Sequence, residues 1–260
     1  MNDTNQQKNI AAPELEEGPP LKQILSWLGD EDSHEFRPVL RPPVPVLTVL
    51  DDGSQETGEE HRIRTESFSI GRTTGHLVLP NDPSLSGTHA EIRRLPWKGA
   101  YQWHLCDLGS VNGSFVRSLR SVFYETSVMI IGSRRFRLRN PLRPSVKHVS
   151  TTDTNRMDAV SAPETVWPVL IEASEKPDAI QLPLRSEAMT IGRTGGGADI
   201  ELDDPLVADT HATLKRMPDG SWLMVAEPTR NGVWVSISSI MLTGNCLFRL
   251  GEQRFRFTLP

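Results

Sequence analysis

The sequence predicts an all-β protein, in which two β-sandwich or β-barrel domains follow a polar N-terminal segment. Three observations support this class. From about Val44 onward, short apolar and β-branched runs such as residues 46–50 are separated by turn residues such as those at 51–54. Alternation with a period of two is clearest over residues 101–106, and no window carries the pattern of a long amphipathic helix. A set of short motifs also recurs about 120 residues later.

The recurring motifs keep their order and nearly constant spacing. The matching segments are 70–73 and 191–194, 82–83 and 204–205, 88–90 and 210–212, 112–113 and 231–232, and 132–137 and 251–256. Their offsets of 121, 122, 122, 119 and 119 residues leave room for small changes in loop length only. A period this long corresponds to a complete domain, so the repeat predicts two domains and not a solenoid of short units.

The repeat divides the chain into four parts. Residues 1–43 are acidic and rich in Pro and Gln, which predicts a mostly disordered tail. The predicted remainder is a first domain over 44–140, a linker rich in Pro, Ser and Thr over 141–164, and a second domain over 165–260.

One stretch of the tail has helical spacing. Leu21, Ile24, Leu25 and Leu28 recur as the apolar face of a helix does, which predicts a short helix over 21–28. A helix this short is marginal alone in water, so it requires a surface to fold against. Packing on the neighbouring domain and binding to a partner both stay open.

Cysteine usage and hydropathy predict a cytoplasmic protein. Cys106 and Cys246 lie about 140 residues apart, which is neither a disulfide framework nor a metal-ligand spacing. The longest apolar runs, such as 128–131, are far shorter than the ~20 residues that cross a bilayer. Residues 1–7 lack the pattern of a secretion signal. We therefore expect reduced thiols, no metal, no cofactor and no membrane partner.

Charge is distributed unevenly along the chain, whose net charge is -5. Residues 1–60 hold 4 Lys and Arg against 13 Asp and Glu, residues 62–147 hold 14 against 5, and residues 148–260 hold 10 against 15. The middle segment, with a net charge of +9, predicts an anionic partner. A phosphoprotein, nucleic acid and the chain's own acidic tail are the candidates.

The first set of motifs resembles the forkhead-associated (FHA) domain. It comprises Gly71-Arg72, then Ser86-Gly87-Thr88-His89, then the run over 107–116 that contains Asn112-Gly113. The resemblance covers about 44–140 and again about 165–260. It implies two β-sandwiches of about eleven strands each, whose loops at one end bind phosphothreonine peptides.

The residue chemistry of the first copy agrees with such a ligand. Phosphothreonine carries a charge of about -1.5 to -2 and three acceptor oxygens. Arg72 supplies a guanidinium that bonds two oxygens at once, and Ser86 supplies a hydroxyl donor. Without the motif, each would be interpreted as an ordinary turn residue.

The resemblance also implies supporting roles. His89 is expected to brace the binding loops, with Gly71 and Gly113 shaping the turns, and Asn112 to contact the peptide backbone. An Asn-Gly turn without any ligand is the alternative for Asn112. Gly87 departs from the family pattern, in which a basic residue commonly follows the serine.

The second copy keeps Arg193, His211, Asn231 and Gly232 but changes the position of the serine. Ala208 stands there, followed by Asp209, so one donor is lost and one carboxylate is added. Loss of one hydrogen bond to a charged group costs about 1.5 to 3 kcal/mol. The second site is therefore predicted to bind phosphate weakly or not at all.

Together these features predict a non-catalytic adaptor that binds the phosphothreonine product of a serine/threonine kinase through its first domain. The alternative is a phosphate-independent assembly module that uses both sandwiches for protein contacts, self-association included. No P-loop, nucleophile elbow or paired-histidine metal helix is present, so an enzyme is not expected. Nucleic acid is not expected either, because interleaved aromatic and basic residues are missing.

Overall fold

The chain folds into β-strands throughout the part that the structure, a computed structural model, describes. The described residues are 14–15, for the backbone alone, and 43–50, 57–123, 127–139, 167–173 and 179–260. No helix occurs among them, and nothing in these ranges has the length and hydropathy of a membrane-spanning helix. The predicted all-β class is confirmed.

Strands of the first repeat follow the apolar runs of the sequence. After the two-residue β1 (Glu14–Leu15), they are β2 (Val46–Leu50), β3 (Gly58–Arg62), β4 (Ser67–Gly71), β5 (Leu77–Val78), β6 (Ala90–Trp97), β7 (Ala100–Asp107), β8 (Ser114–Phe123), β9 (Val128–Ile131) and β10 (Arg134–Arg139). Their core-facing positions alternate as a pleated strand requires, and β4 shows this in buried Phe68 and Ile70.

The second repeat supplies an equivalent set of strands. They are β11 (Val169–Glu172), β12 (Gln181–Pro183), β13 (Ala188–Arg193), β14 (Ile200–Leu202), β15 (Ala212–Arg216), β16 (Trp222–Ala226), β17 (Val233–Ile237), β18 (Ser239–Leu242), β19 (Asn245–Leu250) and β20 (Gln253–Thr258). The one long strand β8 corresponds to the two strands β17 and β18, which Ser238 separates.

These strands form two sandwiches, which we call body one and body two. In body one, a sheet ordered β18-β7-β6-β4-β5 packs on strands β3, β2, β20, β19 and the first half of β8. In body two, the second half of β8 with β16, β15, β13 and β14 packs on β12, β11, β10, β9 and β17. Each body thus has ten strand segments among the described residues, close to the eleven that the resemblance implies.

Each body is completed by strands of the other repeat. The C-terminal strands β18, β19 and β20 pair with β7, β8 and β2 of body one. In return, the end of β8 pairs with β16, and β9 and β10 pair with β17 and β11 of body two. The final hairpins have therefore changed places, an exchange like that of a domain-swapped dimer but within one chain.

The exchange has pseudo-two-fold symmetry, which the strand registers demonstrate. In the β8–β17 ladder, Val116 lies opposite Val235, its own equivalent 119 residues later. Away from this point, Cys106 pairs with Ser239, and the equivalent residues Val225 and Arg120 also pair. Because every exchanged contact has an equivalent, neither body lacks a strand that an unexchanged sandwich would have.

Because of the exchange, each hydrophobic core contains residues of both repeats. The core of body one joins Leu47, Ile70 and Ile92 of the first repeat to Phe248 and Phe255 of the second. The core of body two joins Phe123, Met129 and Phe136 of the first repeat to residues of the second, among them Leu214 and Trp222. A small third cluster lies between them and consists of Leu50, Phe115, Ile130, Trp234 and Leu247. We call this region the seam.

Several sequence predictions concern residues that lie outside the described ranges. The predicted helix over 21–28 and the linker over 141–164 lie outside the described residues, as does almost all of the tail over 1–43. The boundaries 44–140 and 165–260 stay a prediction about the repeats along the chain. In space, each body draws strands from both repeats.

Candidate functional site

Three loops of body one meet at one end of the sandwich and bring the predicted site residues together. They are the loop after β4, the loop between β5 and β6, and the loop between β7 and β8. Their backbones are joined directly, since the Arg72 amide donates to the Ser86 carbonyl at 2.9 Å and the Leu108 amide donates to the His89 carbonyl at 3.0 Å. We call this loop cluster site one.

Close backbone contact explains the glycine before Arg72. A Cβ atom on Gly71 would lie 2.2 Å from the Gly87 carbonyl oxygen, so any side chain would push the two loops apart. The Arg72 side chain, which is partly exposed, has no hydrogen-bond or ion-pair partner among the described residues. Site one therefore presents a guanidinium with its donors available to a ligand.

Ser86 and His89 form a short hydrogen-bond network. The Ser86 amide donates to His89 Nδ1 at 3.1 Å, and His89 Nε2 lies 3.2 Å from the Gly113 carbonyl. Because Nδ1 accepts, the proton of a neutral imidazole belongs on Nε2, which donates to Gly113. The Ser86 hydroxyl oxygen accepts from the Val111 amide at 3.0 Å, which leaves its own hydrogen to donate elsewhere. His89 itself is fully buried and does not reach solvent.

Asp107 organises the loop that carries Asn112. Its carboxylate accepts from the amides of Gly109 and Ser110, both at 2.9 Å, and from the hydroxyls of Ser110 and Ser114, both at 2.6 Å. Burial by itself raises the pKa of this carboxyl, but these hydrogen bonds outweigh it and hold the pKa of Asp107 below its usual value. The ionised carboxylate therefore fixes the loop.

Asn112 is tied to site one on two sides. Its side-chain Nδ2 donates to the Ser84 backbone carbonyl at 2.8 Å. Its backbone carbonyl accepts from Arg135 Nη1 at 3.0 Å. The Glu252 amide donates to the Ser84 hydroxyl at 2.7 Å. Glu252 lies in the turn between β19 and β20, so a residue of the second repeat supports a loop of site one.

Body two repeats the framework of site one at what we call site two. The Arg193 amide donates to the Ala208 carbonyl at 2.9 Å, and the Ala208 amide donates to His211 Nδ1 at 3.1 Å. His211 Nε2 lies 3.0 Å from the Gly232 carbonyl, and Asn231 Nδ2 donates to the Leu206 carbonyl at 2.8 Å. The arginine, histidine and asparagine braces are thus the same in both bodies, whereas the position of Asp107 is occupied by Ala226 in body two.

The two sites differ at the arginine. Arg193 Nη2 donates to Asp209 Oδ1 at 2.6 Å, so the guanidinium of site two has an internal carboxylate partner. Both side chains are at least half exposed, and the pair lies at the protein surface. Asp209 takes the place next to arginine that an anionic ligand would need. The arginine of site one has no such competitor in the described chain.

Family comparison agrees with this geometry. The model of the FHA domain matches residues 68–125 and again 189–251, which contain the loops of site one and site two. The chain is a tandem FHA-domain protein. No curated protein matches the sequence.

Solved structures are similar to the chain at low sequence identity. One comes from a structural and functional analysis of phosphothreonine-dependent FHA domain interactions; it is 15% identical, over 84% of this chain and 97% of that chain, with a TM-score of 0.32. Full-length yeast Pml1p is 16% identical, over 40% of this chain and 73% of that chain, with a TM-score of 0.26. The identification rests on the two family matches.

Some features of the FHA sites were not predicted from the sequence. Asp107 was missed, because an aspartate followed by serines such as Ser110 and Ser114 is too common a pattern to signal this turn. The contributions of Arg135 and Glu252 have no sequence signal, because they depend on the hairpin exchange. Within the described ranges, no three His, Cys, Asp or Glu side chains are grouped to hold a metal ion.

The buried histidine of the first FHA site makes stability depend on pH. Burial lowers the pKa of His89, and its hydrogen bond to Gly113 and the charge of Asp107 oppose this only in part. The folded-state pKa is thus below the unfolded value of ~6.5, so the unfolded chain binds more protons as the pH falls. We expect the free energy of unfolding to be constant above about pH 6.5 and to decrease as the pH falls through the folded-state pKa.

Denaturant unfolding between pH 8 and pH 5 measures this effect. His89→Gln keeps one acceptor and one donor, so we expect it to cost about 1 to 3 kcal/mol and to flatten the slope below pH 6.5. The control is His104→Gln on β7, which leaves the network intact. An unchanged slope in His89→Gln would show that His89 does not cause the dependence.

Proposed function

We propose that this protein is a non-catalytic adaptor that binds phosphothreonine-containing protein segments through site one. One observation supports this most directly. The Arg72 guanidinium and the Ser86 hydroxyl both have donors to spare, and their backbones are hydrogen bonded to each other at 2.9 Å. A bidentate cation beside a neutral donor is the arrangement that a phosphate dianion requires.

The surroundings favour specific recognition over nonspecific attraction. Arg72 and Ser86 lie on loops that Gly71, His89 and Asp107 hold in place. The loops therefore lose little conformational freedom when a ligand binds. The ligand that suits this site is a phosphothreonine segment produced by a serine/threonine kinase. Site two, where Asp209 bonds Arg193, is proposed to bind phosphate weakly or not at all.

The test is the binding of a degenerate phosphothreonine peptide library to matched arginine variants. We expect Arg72→Ala to lower phosphate-dependent affinity by a factor of about 100 or more, since at least two charge-assisted hydrogen bonds are lost. Arg193→Ala removes the same charge from site two and is expected to change the affinity little. An unphosphorylated library is the control for nonspecific binding.

The alternative, a phosphate-independent assembly module, is favoured by one surface. The hairpin of β6 and β7 exposes Leu95, Trp97 and Tyr101, whose exposed fractions are 41%, 53% and 62%. Apolar side chains grouped in this way often mark protein contacts. The same titration separates the two functions. If peptides bind equally with and without phosphate, and Arg72→Ala has no effect, the adaptor proposal fails and the assembly function takes its place.

A further inference from the structure

A group of arginines covers the seam between the two bodies. Two rows of paired residues cross the sheet there on the same face. Members of the first row are Arg254 on β20, Arg249 on β19, Phe115 on β8 and Ser236 on β17. Members of the second row are Arg135 on β10, Ile130 on β9, Trp234 on β17 and Arg117 on β8. The hairpin exchange is what brings these six strands together.

Two of these arginines, Arg135 and Arg254, each lie over an aromatic ring. The guanidinium of Arg135 is 5.3 Å from the centroid of Phe115, and that of Arg254 is 5.9 Å from the centroid of Trp234. Arg135 and Arg254 are equivalent in the two repeats, as are Phe115 and Trp234, so the contacts obey the pseudo-two-fold symmetry. Stacking of this kind fixes the position of each guanidinium and leaves its edge for hydrogen bonds.

Positive charge exceeds negative charge in this group. Among the described residues, Glu252 is the carboxylate that pairs with Arg135 and Arg249: it hydrogen bonds Arg249 and lies 3.9 Å from Arg135. Burial lowers the pKa of both Arg135 and Arg254, and the nearby charge of Arg249 lowers each further. An additional anion would relieve this repulsion.

Arg135 borders site one directly, and Arg249 is connected to it through Glu252. Arg135 donates to the Asn112 carbonyl, and the Glu252 amide donates to the Ser84 hydroxyl, so both are bonded directly to the loops of the site. The side chains of Arg135 and Arg249 retain exposed fractions of 27% and 11%, and a ligand can therefore reach them. A protein segment bound at site one would have Arg135 beside it and would reach Arg249 and Arg254 by extending across the seam.

We propose that Arg135, Arg249 and Arg254 form a second anion site, which binds a further acidic group of the segment held at site one. The choice of this ligand rests on the proposed function. A guanidinium group bonds carboxylate and phosphate alike, so the further group is either an Asp or Glu side chain or a second phosphorylated residue. This seam site makes the protein prefer acidic or multiply phosphorylated segments.

The site is first tested without a peptide. The chain contains six tryptophans, which are labelled with 5-fluorotryptophan, and the Trp234 resonance is assigned with Trp234→Phe. Pyrophosphate is titrated into the full chain carrying Arg72→Ala, so that site one does not contribute. We expect a saturable shift of the Trp234 resonance, because Arg254 stacks on that ring. The shift should be lost in a further Arg249→Gln/Arg254→Gln variant and kept with Arg185→Gln, an exposed arginine of body two.

An absent shift, or one that survives Arg249→Gln/Arg254→Gln, overturns the seam site whatever site one binds. Circular dichroism of each variant establishes that it is folded. If a variant proves unfolded, Arg254→Lys replaces it, since lysine keeps the charge but loses the planar stacking and is expected to weaken the shift severalfold.

The second test uses three phosphothreonine peptides that differ in their flanks, which are neutral, rich in glutamate or carry a second phosphate. We expect the two anionic peptides to bind the wild-type chain about tenfold more tightly than the neutral one. Arg249→Gln/Arg254→Gln should remove this advantage and leave the affinity of the neutral peptide unchanged. The glutamate-rich and the doubly phosphorylated peptides are then compared with each other. Whichever of the two binds more tightly shows whether the seam site prefers a carboxylate or a phosphate.

Failure of this proposal is distinguishable from failure of the proposed function. Equal affinity for all three peptides overturns the seam site and leaves phosphothreonine binding at site one intact. If no phosphopeptide binds but pyrophosphate moves the Trp234 resonance, and Arg249→Gln/Arg254→Gln removes that shift, the adaptor function falls and the seam anion site stands.

Discussion

Replacing Phe255 with alanine is expected to destabilise body one, although Phe255 belongs to the second repeat. Its ring is fully buried in the core of body one and stacks on Phe248 with centroids 5.0 Å apart. Truncation of a buried phenylalanine to alanine costs about 3 to 5 kcal/mol, a large fraction of the stability of most domains. Site one should lose its ligand affinity with it, because the same core supports β4 and its loop.

Phe136→Ala is the matched control, since Phe136 is the equivalent residue of the first repeat and lies in the core of body two. Hydrogen exchange measured by mass spectrometry resolves the two effects. We expect Phe255→Ala to raise exchange over 67–107 and Phe136→Ala to raise it over 188–226. The reverse assignment would mean that each hairpin packs on its own repeat and that the exchange does not occur in solution.

A crosslink tests the same arrangement without weakening the core. Thr48 pairs with Arg256 across β2 and β20, so Thr48→Cys/Arg256→Cys places two thiols on opposed residues. We expect an intramolecular disulfide in this variant and none in Thr48→Cys/Arg137→Cys, the pair that an unexchanged sandwich would bring together. Cys106 is replaced by serine in both, while burial raises the pKa of Cys246 to about 12 and keeps that thiol unreactive.

Ala208→Ser/Asp209→Gly is expected to raise the phosphothreonine affinity of site two. The change copies Ser86-Gly87 of site one onto a loop framework with the same hydrogen bonds. It removes the carboxylate that bonds Arg193 and adds a hydroxyl donor beside it. One charge-assisted hydrogen bond gained and one internal competitor lost correspond to a gain of about tenfold to a hundredfold.

This gain is measured by peptide titration in the background of Arg72→Ala, so that only site two contributes. Asp209→Gly alone separates removal of the competitor from addition of the donor, and we expect a smaller gain from it. Adding Arg193→Ala to the double variant should abolish the binding. If the double variant gains no affinity, the difference between the sites lies elsewhere than in residues 208 and 209.

The strand pattern and the motif order were readable from the sequence because they are local or periodic. Alternation in runs such as 101–106 reflects the pleat of a single strand, and it predicts that strand whatever lies beside it. The motifs around Gly71, Ser86 and Asn112 recur in order at a domain-sized spacing, and this order is the pattern by which the sequence resembles the FHA family.

The hydrogen-bond partners of individual side chains were harder to predict from the sequence. Asp209 was interpreted as a carboxylate that repels phosphate, and the structure adds that it bonds Arg193 directly. Asp107 gathers four hydrogen bonds from its own loop, but neither an isolated aspartate nor the serines after it distinguish this turn from many others. Such contacts depend on loop geometry that residue types do not specify.

By itself, the sequence determined that this is a chain of two FHA-type β-sandwiches, and it predicted Arg72 and Ser86 as the phosphate-binding residues. Tertiary structure alone decided which hairpin completes which sandwich. Residues 132–137 and 251–256 carry the same pattern of glycine, arginine and phenylalanine, so either hairpin satisfies either core. The physical reason is that pairing and burial are nearly the same in both arrangements, and only the path of the chain through the seam differs.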